Sequence, residues 1–250
     1  FPGDADILYH CAAELKDPGR MTETNVLGTR RLVDAADGRI GRWVQLSSVG
    51  VYGQHREGLI DEAWPISPDN DYERTKATAD QIVQERACKG AFGLVTLRPS
   101  IVFGRGMPNR SLLQLGAVIE RGLFFFVGPA GASANYVPAP SVVSALVLCG
   151  THPAATGNTY NLSDWTTIEE FVATIAAVRG VPCPTIRIPL GAARAIATAI
   201  GWLPGCPLTI SRVDALSGRS RYPITRIEEE LGYRHQKRID ACLRDLFGSG

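Results

Sequence analysis

The residues that could carry chemistry in this chain are a tyrosine and a lysine four positions apart, Tyr72 and Lys76 in Tyr72-Glu73-Arg74-Thr75-Lys76, with Ser48 lying 24 residues upstream of Tyr72. If 71–89 is a helix, that spacing puts the phenol and the ammonium one turn apart on one face. A free phenol ionises near ~10, and bringing it toward neutrality takes roughly 4 kcal/mol of differential stabilisation, which an adjacent, partly desolvated cation supplies. Ser48 would hydrogen-bond the same substrate oxygen. The three groups suit moving a proton to or from a carbinol or carbonyl while a hydride moves on the other side. An isolated tyrosine–lysine pair of this spacing is also a common half-buried ring beside a solvated charge, so its weight comes from its surroundings.

Those surroundings are a strand end and a helix start, which together make a cleft. Ser48 closes the apolar run Trp43-Val44-Gln45-Leu46, which reads as a buried strand, and Asp71 is placed to cap the helix carrying Tyr72. The pattern around them alternates: a strand over 7–11, a helix over 21–36, a strand over 43–46, a helix over 71–89 and a strand over 94–97. Such alternation specifies an α/β fold with a parallel sheet and crossover helices. Further on, the spacing predicts a helix over 111–121, a strand over 123–127, a helix over 142–149 and strands over 159–162 and 185–188. Thr166 before Glu169, and Thr167 before Glu170, offer a capping box for a helix running to 178; Thr225 and Glu228 offer a second in a mainly helical C-terminal part.

Composition sets the outer limits. With 250 residues and 45% hydrophobic content the chain can bury a sizeable core, as one large domain or a domain plus a lobe. A net charge of +1 gives no electrostatic footprint for nucleic acid. The six cysteines show no C-x-x-C and no Cys/His ligand spacing, which suggests neither a metal site nor a disulfide framework and fits a reducing cytoplasm. No signal peptide opens the sequence as given. The most apolar stretch, 190–203, is too short to span a bilayer and contains Arg194.

Five ordered segments resemble the extended short-chain dehydrogenase/reductase superfamily, the NAD(P)-dependent sugar-nucleotide epimerase, dehydratase and reductase group. They are Asp6-Ile7-Leu8-Tyr9-His10-Cys11-Ala12-Ala13, Asn25-Val26-Leu27-Gly28-Thr29, the Ser48 segment, Tyr72 to Lys76, and Leu97-Arg98-Pro99-Ser100-Ile101-Val102-Phe103-Gly104. The resemblance implies a partial Rossmann-like doubly wound sheet over residues 1–104, then a smaller substrate-binding lobe over 105–250 interleaved with late Rossmann elements. It implies that Ser48, Tyr72 and Lys76 are catalytic, Lys76 also holding the nicotinamide ribose of NAD or NADP. Ala12, Ala13 and Ser47 would line the cofactor cleft, Asn25 would brace the strand before it, and Pro99 and Ser100 would lie by the nicotinamide. Arg105, Asn109 and Arg110 would meet the diphosphate of a nucleotide sugar, a task that arginine forks suit. A homodimer through the helices over 21–36 and 71–89 is a further implication.

Departures from the family pattern narrow these expectations. The family's glycine-rich phosphate turn is absent: Gly104-Arg105-Gly106 lacks the third glycine and follows a late strand. The sequence opens where the family's fourth strand would begin, so a truncated chain lacking the first βαβαβ half is expected, with 7–11 as an exposed sheet edge and weak dinucleotide binding. Val49 and Gly50 stand where dehydratases carry an acidic pair, and Ile101 where many epimerases carry asparagine. Pro138-Ala139-Pro140-Ser141 replaces His-Val-Asp-Asp and puts the local helix start in question. The leading expectation is an epimerase or reductase acting on a nucleotide-linked sugar for surface polysaccharide. Alternatives are a hydroxysteroid or dihydroflavonol type oxidoreductase, and a non-catalytic dinucleotide-binding or scaffold protein.

Overall fold

The computed structural model describes residues 4–53, 57–107, 111–201 and 209–248. The strands are β1 (Ala5–His10), β2 (Ile40–Leu46), β3 (Glu57–Leu59), β4 (Gly93–Pro99), β5 (Ile101–Phe103), β6 (Phe126–Val127), β7 (Ser133–Pro138), β8 (Thr159–Leu162), β9 (Asp164–Thr167), β10 (Arg187–Ile188) and β11 (Arg219–Arg221), most of them rich in β-branched and aromatic residues. Between them lie α1 (Pro18–Met21), α2 (Gly28–Ala36), α3 (Asp71–Ala87), α4 (Ser111–Glu120), α5 (Ala139–Thr151), α6 (Ile168–Arg179), α7 (Leu190–Ile200), α8 (Ile210–Ser217), α9 (Thr225–Leu231) and α10 (Ile239–Phe247). A wider, π-wound stretch, Thr22–Leu27, joins α1 to α2 and makes Pro18 to Ala36 one continuous helical rod.

Four strands in the order β1-β2-β4-β8, all parallel, make the main sheet, which is Rossmann-like. Trp43 and Val44 are both buried, on opposite faces of β2 as a period of two requires. Trp43 packs with Val33, Ala36 and Val83 under α2 and α3, while Val44 packs with Val142, Ala145 and Cys149 under α5. Burial on both faces is what a parallel sheet needs, and it is why the large apolar residues Trp43 and Val44 can stand side by side in β2. β1 is an edge strand, as expected; among the described residues no strand pairs with its outer side.

After β4 the chain leaves the main sheet at Ser100 and enters a second one of order β5-β7-β9, in which β7 and β9 are antiparallel. It returns through α5 to β8, then crosses again at Ser163 into β9. The second sheet packs with α4, α6 and α10 around Phe103, Phe124, Phe126, Ile175, Leu243 and Phe247, and Tyr136 stacks on Phe171 with centroids 4.5 Å apart.

Several expected boundaries move. The cap of α3 is Asn70, not Asp71: the Asn70 side chain accepts from Glu73 N at 3.0 Å and the Glu73 carboxylate accepts from Asn70 N at 3.4 Å. A capping box needs its oxygen three residues before the acidic partner, and Asn70 has that place. The box at Thr167 and Glu170 forms, whereas Thr225 falls inside α9, whose cap is Ile224 without a side-chain bond. The two prolines do not delay α5. It starts at Ala139 with Pro140 in its first turn, where a missing N–H leaves no bond unmade. The strand expected over 123–127 contracts to β6, and that over 185–188 to β10, its partner.

Candidate active site at the end of strand β2

Backbone geometry delivers the serine first. Ser47 N donates to Leu97 O at 2.8 Å, carrying the β2–β4 register one residue past the strand. Ser48 is fully extended and caps a short 3-10 turn, its Oγ accepting from Gly50 N at 3.1 Å. A Cβ at position 50 would stand 3.1 Å from the Glu73 side chain, so glycine lets this turn approach the start of α3. The capping box then fixes that start, which sets Tyr72 in the first turn.

Across this gap the Ser48 hydroxyl faces the Tyr72 phenol closely enough to draw its pKa down. Lys76, one turn on, is 3% exposed, and its Nζ donates to the Leu46 carbonyl at 2.5 Å. The structure thus gathers Ser48, Tyr72 and Lys76 around one strand end. Their electrostatics differ from the sequence expectation. Burial raises the Tyr72 pKa above the ordinary phenol value, the Ser48 hydroxyl pulls it down, and the charges of Asp80 and Glu73 push it up. Lys76 is not among the groups that move the phenol, because its ammonium is turned to the Leu46 carbonyl. Burial lowers Lys76's own pKa, opposed by Asp80 and Cys11.

Asn25, buried at 1%, sits in the π-wound stretch and clamps the segment after β1. Its Oδ1 accepts from Glu14 N at 2.6 Å, and its Nδ2 donates to Glu14 O at 3.1 Å and to Thr75 Oγ1 at 3.0 Å. Thr75 Oγ1 in turn donates to Tyr72 O at 2.9 Å, so Asn25 ties the β1 end to the helix of Tyr72 and Lys76. Ala12 is exposed and Ala13 half-buried on that segment. Ser47 faces away from this edge: its hydroxyl donates to Asp80 Oδ2 at 2.5 Å. Pro99 and Ser100 end β4, and Ser100 Oγ is buried without a partner, as is Ser163 Oγ at the adjacent strand crossing. Arg105 donates from Nε to the Asp245 carbonyl at 3.2 Å, on the lobe. Asn109 and Arg110 lie outside the described residues.

One more step of four along α3 from Lys76 reaches Asp80. Its side chain is 12% exposed, and its carboxylate accepts from Ser47 Oγ and from Gln45 Nε2, the latter at 3.2 Å, with Arg98 Nη2 at 3.9 Å. A cavity of about 460 Å³ lies behind α3, lined by Arg74, Asp80, Gln81, Thr96 and Arg98 among others, and by none of Ser48, Tyr72 and Lys76. The nicotinamide ribose implied by the sequence fits the residues present, since a buried ammonium and the orphaned hydroxyl of Ser100 are groups that a polar ligand would satisfy. Among the described residues no helix is long and apolar enough to cross a membrane.

Comparison with known proteins gives this geometry a context. Residues 3–163 match the sequence model of the NAD dependent epimerase/dehydratase family. A UDP-glucose 4-epimerase of Vibrio cholerae is 24% identical over 246 residues, which covers 91% of this chain and 71% of that protein. Sterol demethylase protein B of Methylococcus capsulatus is 29% identical over 73% of this chain and 57% of its own length. A low-salt glycan biosynthesis protein of Haloferax volcanii is 40% identical over 32% of this chain, spanning 28% of its own length. The chain therefore spans between about a quarter and three quarters of these relatives. In solved structures the same fold appears in RMD from Pseudomonas aeruginosa complexed with NADPH, with a TM-score of 0.74 at 22% identity over all of this chain and 84% of that one. It appears also in the UDP-glucuronic acid 4-epimerase of Bacillus cereus in complex with NAD, with a TM-score of 0.71 at 17% identity over 96% of this chain and 72% of that one.

Proposed function

The chain belongs to the NAD dependent epimerase/dehydratase family, and from that premise we propose that it carries the proton-transfer site of an NAD(P)-dependent epimerase or reductase acting on a nucleotide-linked sugar. One observation carries this reading: the Tyr72 phenol and the Ser48 hydroxyl meet across a strand end with the buried Lys76 ammonium one helical turn away. Tyr72 Oη gives or takes the proton of the substrate's carbinol or carbonyl oxygen, and Ser48 Oγ orients that oxygen. Lys76 supplies a donor for a ribose hydroxyl, and its ammonium would favour phenolate once a bound ligand draws it from the Leu46 carbonyl. NAD or NADP, when bound, supplies hydride transfer. Ala12 and Ala13 offer small side chains beside the ring, and Pro99 and Ser100 close the far side. Arg105, Asn109 and Arg110 are assigned to the substrate diphosphate, and the rod of α1 and α2 with α3 to the contact between two copies.

A second reading has its own support. Sterol demethylase protein B and a plant 3beta-hydroxysteroid-dehydrogenase/decarboxylase, 26% identical over 92% of this chain, point to a sterol carbinol as substrate, and Arg105 is bonded to Asp245. The experiment that tests the chemistry and separates the substrates is a nicotinamide-linked assay with NAD and NADP against UDP-sugars and 3β-hydroxysteroids, using wild type and Tyr72→Phe. Turnover of the sugars that is lost in Tyr72→Phe supports the leading reading. Turnover confined to steroids replaces the substrate, and undiminished activity in Tyr72→Phe removes the proposed role.

A further inference from the structure

We propose that Asp80 is a positioning residue for this site: its carboxylate grips Gln45 and Ser47, the two residues flanking Leu46, and thereby fixes both the place and the charge of Lys76. The proposal deepens the reading above and rests on it for the use made of Lys76. Tyr72, Lys76 and Asp80 form a stripe at intervals of four along one face of α3. Asp80 Oδ1 accepts from Gln45 Nε2 at 3.2 Å and Oδ2 from Ser47 Oγ at 2.5 Å. Residues 45 and 47 point to the same side of β2, as alternate strand residues do. The peptide between them belongs to Leu46, whose carbonyl holds the Lys76 ammonium at 2.5 Å, and the next residue is Ser48, which faces Tyr72. One carboxylate therefore anchors the strand end on both sides of the lysine's acceptor.

Its donors are themselves fixed. Gln45 Oε1 accepts from Trp43 Nε1 at 2.9 Å and faces His10 Nδ1 at 3.0 Å, which leaves the amide nitrogen to serve Asp80. Arg98, 3.9 Å from the carboxylate, donates to Tyr52 Oη at 3.0 Å, and Tyr52 donates to Asn161 Oδ1 at 2.9 Å. The charged and titratable groups gathered here are Lys76, Asp80, Tyr72 and Glu73 from α3, Arg98 from β4, and His10 and Cys11 from β1 and its end. Asp80 is the carboxylate that faces both cations. With it gone, Lys76 and Arg98 would share a poorly solvated space, and the lysine is the one that can shed its proton. Burial raises the Asp80 pKa, and Arg98, Lys76, Ser47 and Gln45 each oppose the rise.

The test is a nuclear magnetic resonance titration of the Lys76 side chain in wild type, Asp80→Asn and Asp80→Glu. In Asp80→Asn the Lys76 inflection should fall by about one pH unit, while Asp80→Glu, which keeps the charge, returns it toward wild type. An inflection in Asp80→Asn equal to that of wild type overturns the proposal, even if the variant melts earlier. Should Asp80→Asn not fold, the unsubstituted chain decides: the Lys76 resonance should show a second inflection where the Asp80 carboxyl carbon titrates, and a single inflection refutes the coupling. This readout does not involve turnover. Activity surviving in Tyr72→Phe would sink the reaction while leaving a shifted Lys76 in place, and an unshifted Lys76 would sink this inference alone.

Discussion

The main sheet and the lobe bury their interiors in different ways. Beneath α3 the sheet encloses Gln45, Ser47, Lys76, Asp80, Arg98 and Asn161. Hydrogen bonds run from His10 through Gln45 and Asp80 to Ser47, and from Arg98 through Tyr52 and Asn161 to Ile60, the two runs meeting where Arg98 stands 3.9 Å from Asp80. The lobe encloses rings: Phe124 meets Phe126 edge-on at 5.1 Å, and Tyr136 stacks on Phe171. Burial acts on a tyrosine in each region, with unequal results. The Tyr136 phenol, stacked on Phe171, is pushed up to about 12 by burial alone. Tyr72 is raised too, but the Ser48 hydroxyl opposes the rise. The ring in the lobe is packed on its face, and the one at the end of β2 has a hydroxyl facing its oxygen. The proposed proton transfer needs the second arrangement, in which a hydroxyl faces the phenol oxygen.

This contrast can be broken or sharpened by substitution. The largest expected effect is on chemistry: Tyr72→Phe should lower turnover by about 10²–10⁴-fold in a nicotinamide-linked assay, the range of a lost general acid. The same change at Tyr136 should leave turnover nearly intact, and equal losses at both would erase the distinction. Next comes the lobe itself. Phe171→Ala should cost about 3–5 kcal/mol in denaturant unfolding without moving the Lys76 titration, because cavity formation there is remote from the polar network. Asn70→Ala removes the α3 cap and should cost about 1 kcal/mol, with a loss of activity that Asp71→Ala does not share.

The smallest effect is one of pH. Burial lowers the His10 pKa, so the unfolded chain takes up the proton first. The stability that follows is present above the ordinary histidine value near ~6.5 and is lost as pH falls through it. Unfolding midpoints measured downward from neutral pH should decline, and His10→Gln should flatten the part of the slope that His10 contributes.

The alternation of strands and helices up to β4 was legible because each element repeats its apolar period over enough residues. β3 and β11 were not: each has three residues and exists through pairing with the other, more than 150 positions away in the chain, which no local pattern records. The capping signals show the same limit. Thr167 with Glu170 and Thr225 with Glu228 are identical in form, yet only the first becomes a box. A cap also needs an extended backbone before the helix, and Ile224 has already turned, with φ −111° and ψ 13°. At the site, Ser48, Tyr72 and Lys76 were found by spacing, whereas the turn of Lys76 to the Leu46 carbonyl depends on where β2 ends in space. Asp80 lay one further step along a spacing already in use. What its sequence position did not reveal was the pair of donors on β2 that make it more than a solvated charge.

The π-wound stretch in the long rod has a consequence for how that rod can vary. Met21, Asn25, Thr29 and Val33 are all buried at intervals of four. Uniform α winding advances 100° per residue, so each interval overshoots a full circle by about 40° and three of them by about 120°. The looser turns of Thr22–Leu27 act as a phase correction that keeps polar Asn25 and apolar Val33 on one line. Deleting a single residue there would yield a more regular coil, yet it would rotate everything downstream by about 100° and swing Val33 and Ala36 out of the interior. The irregularity is what keeps the clamp on Glu14 and the packing on Trp43 in register.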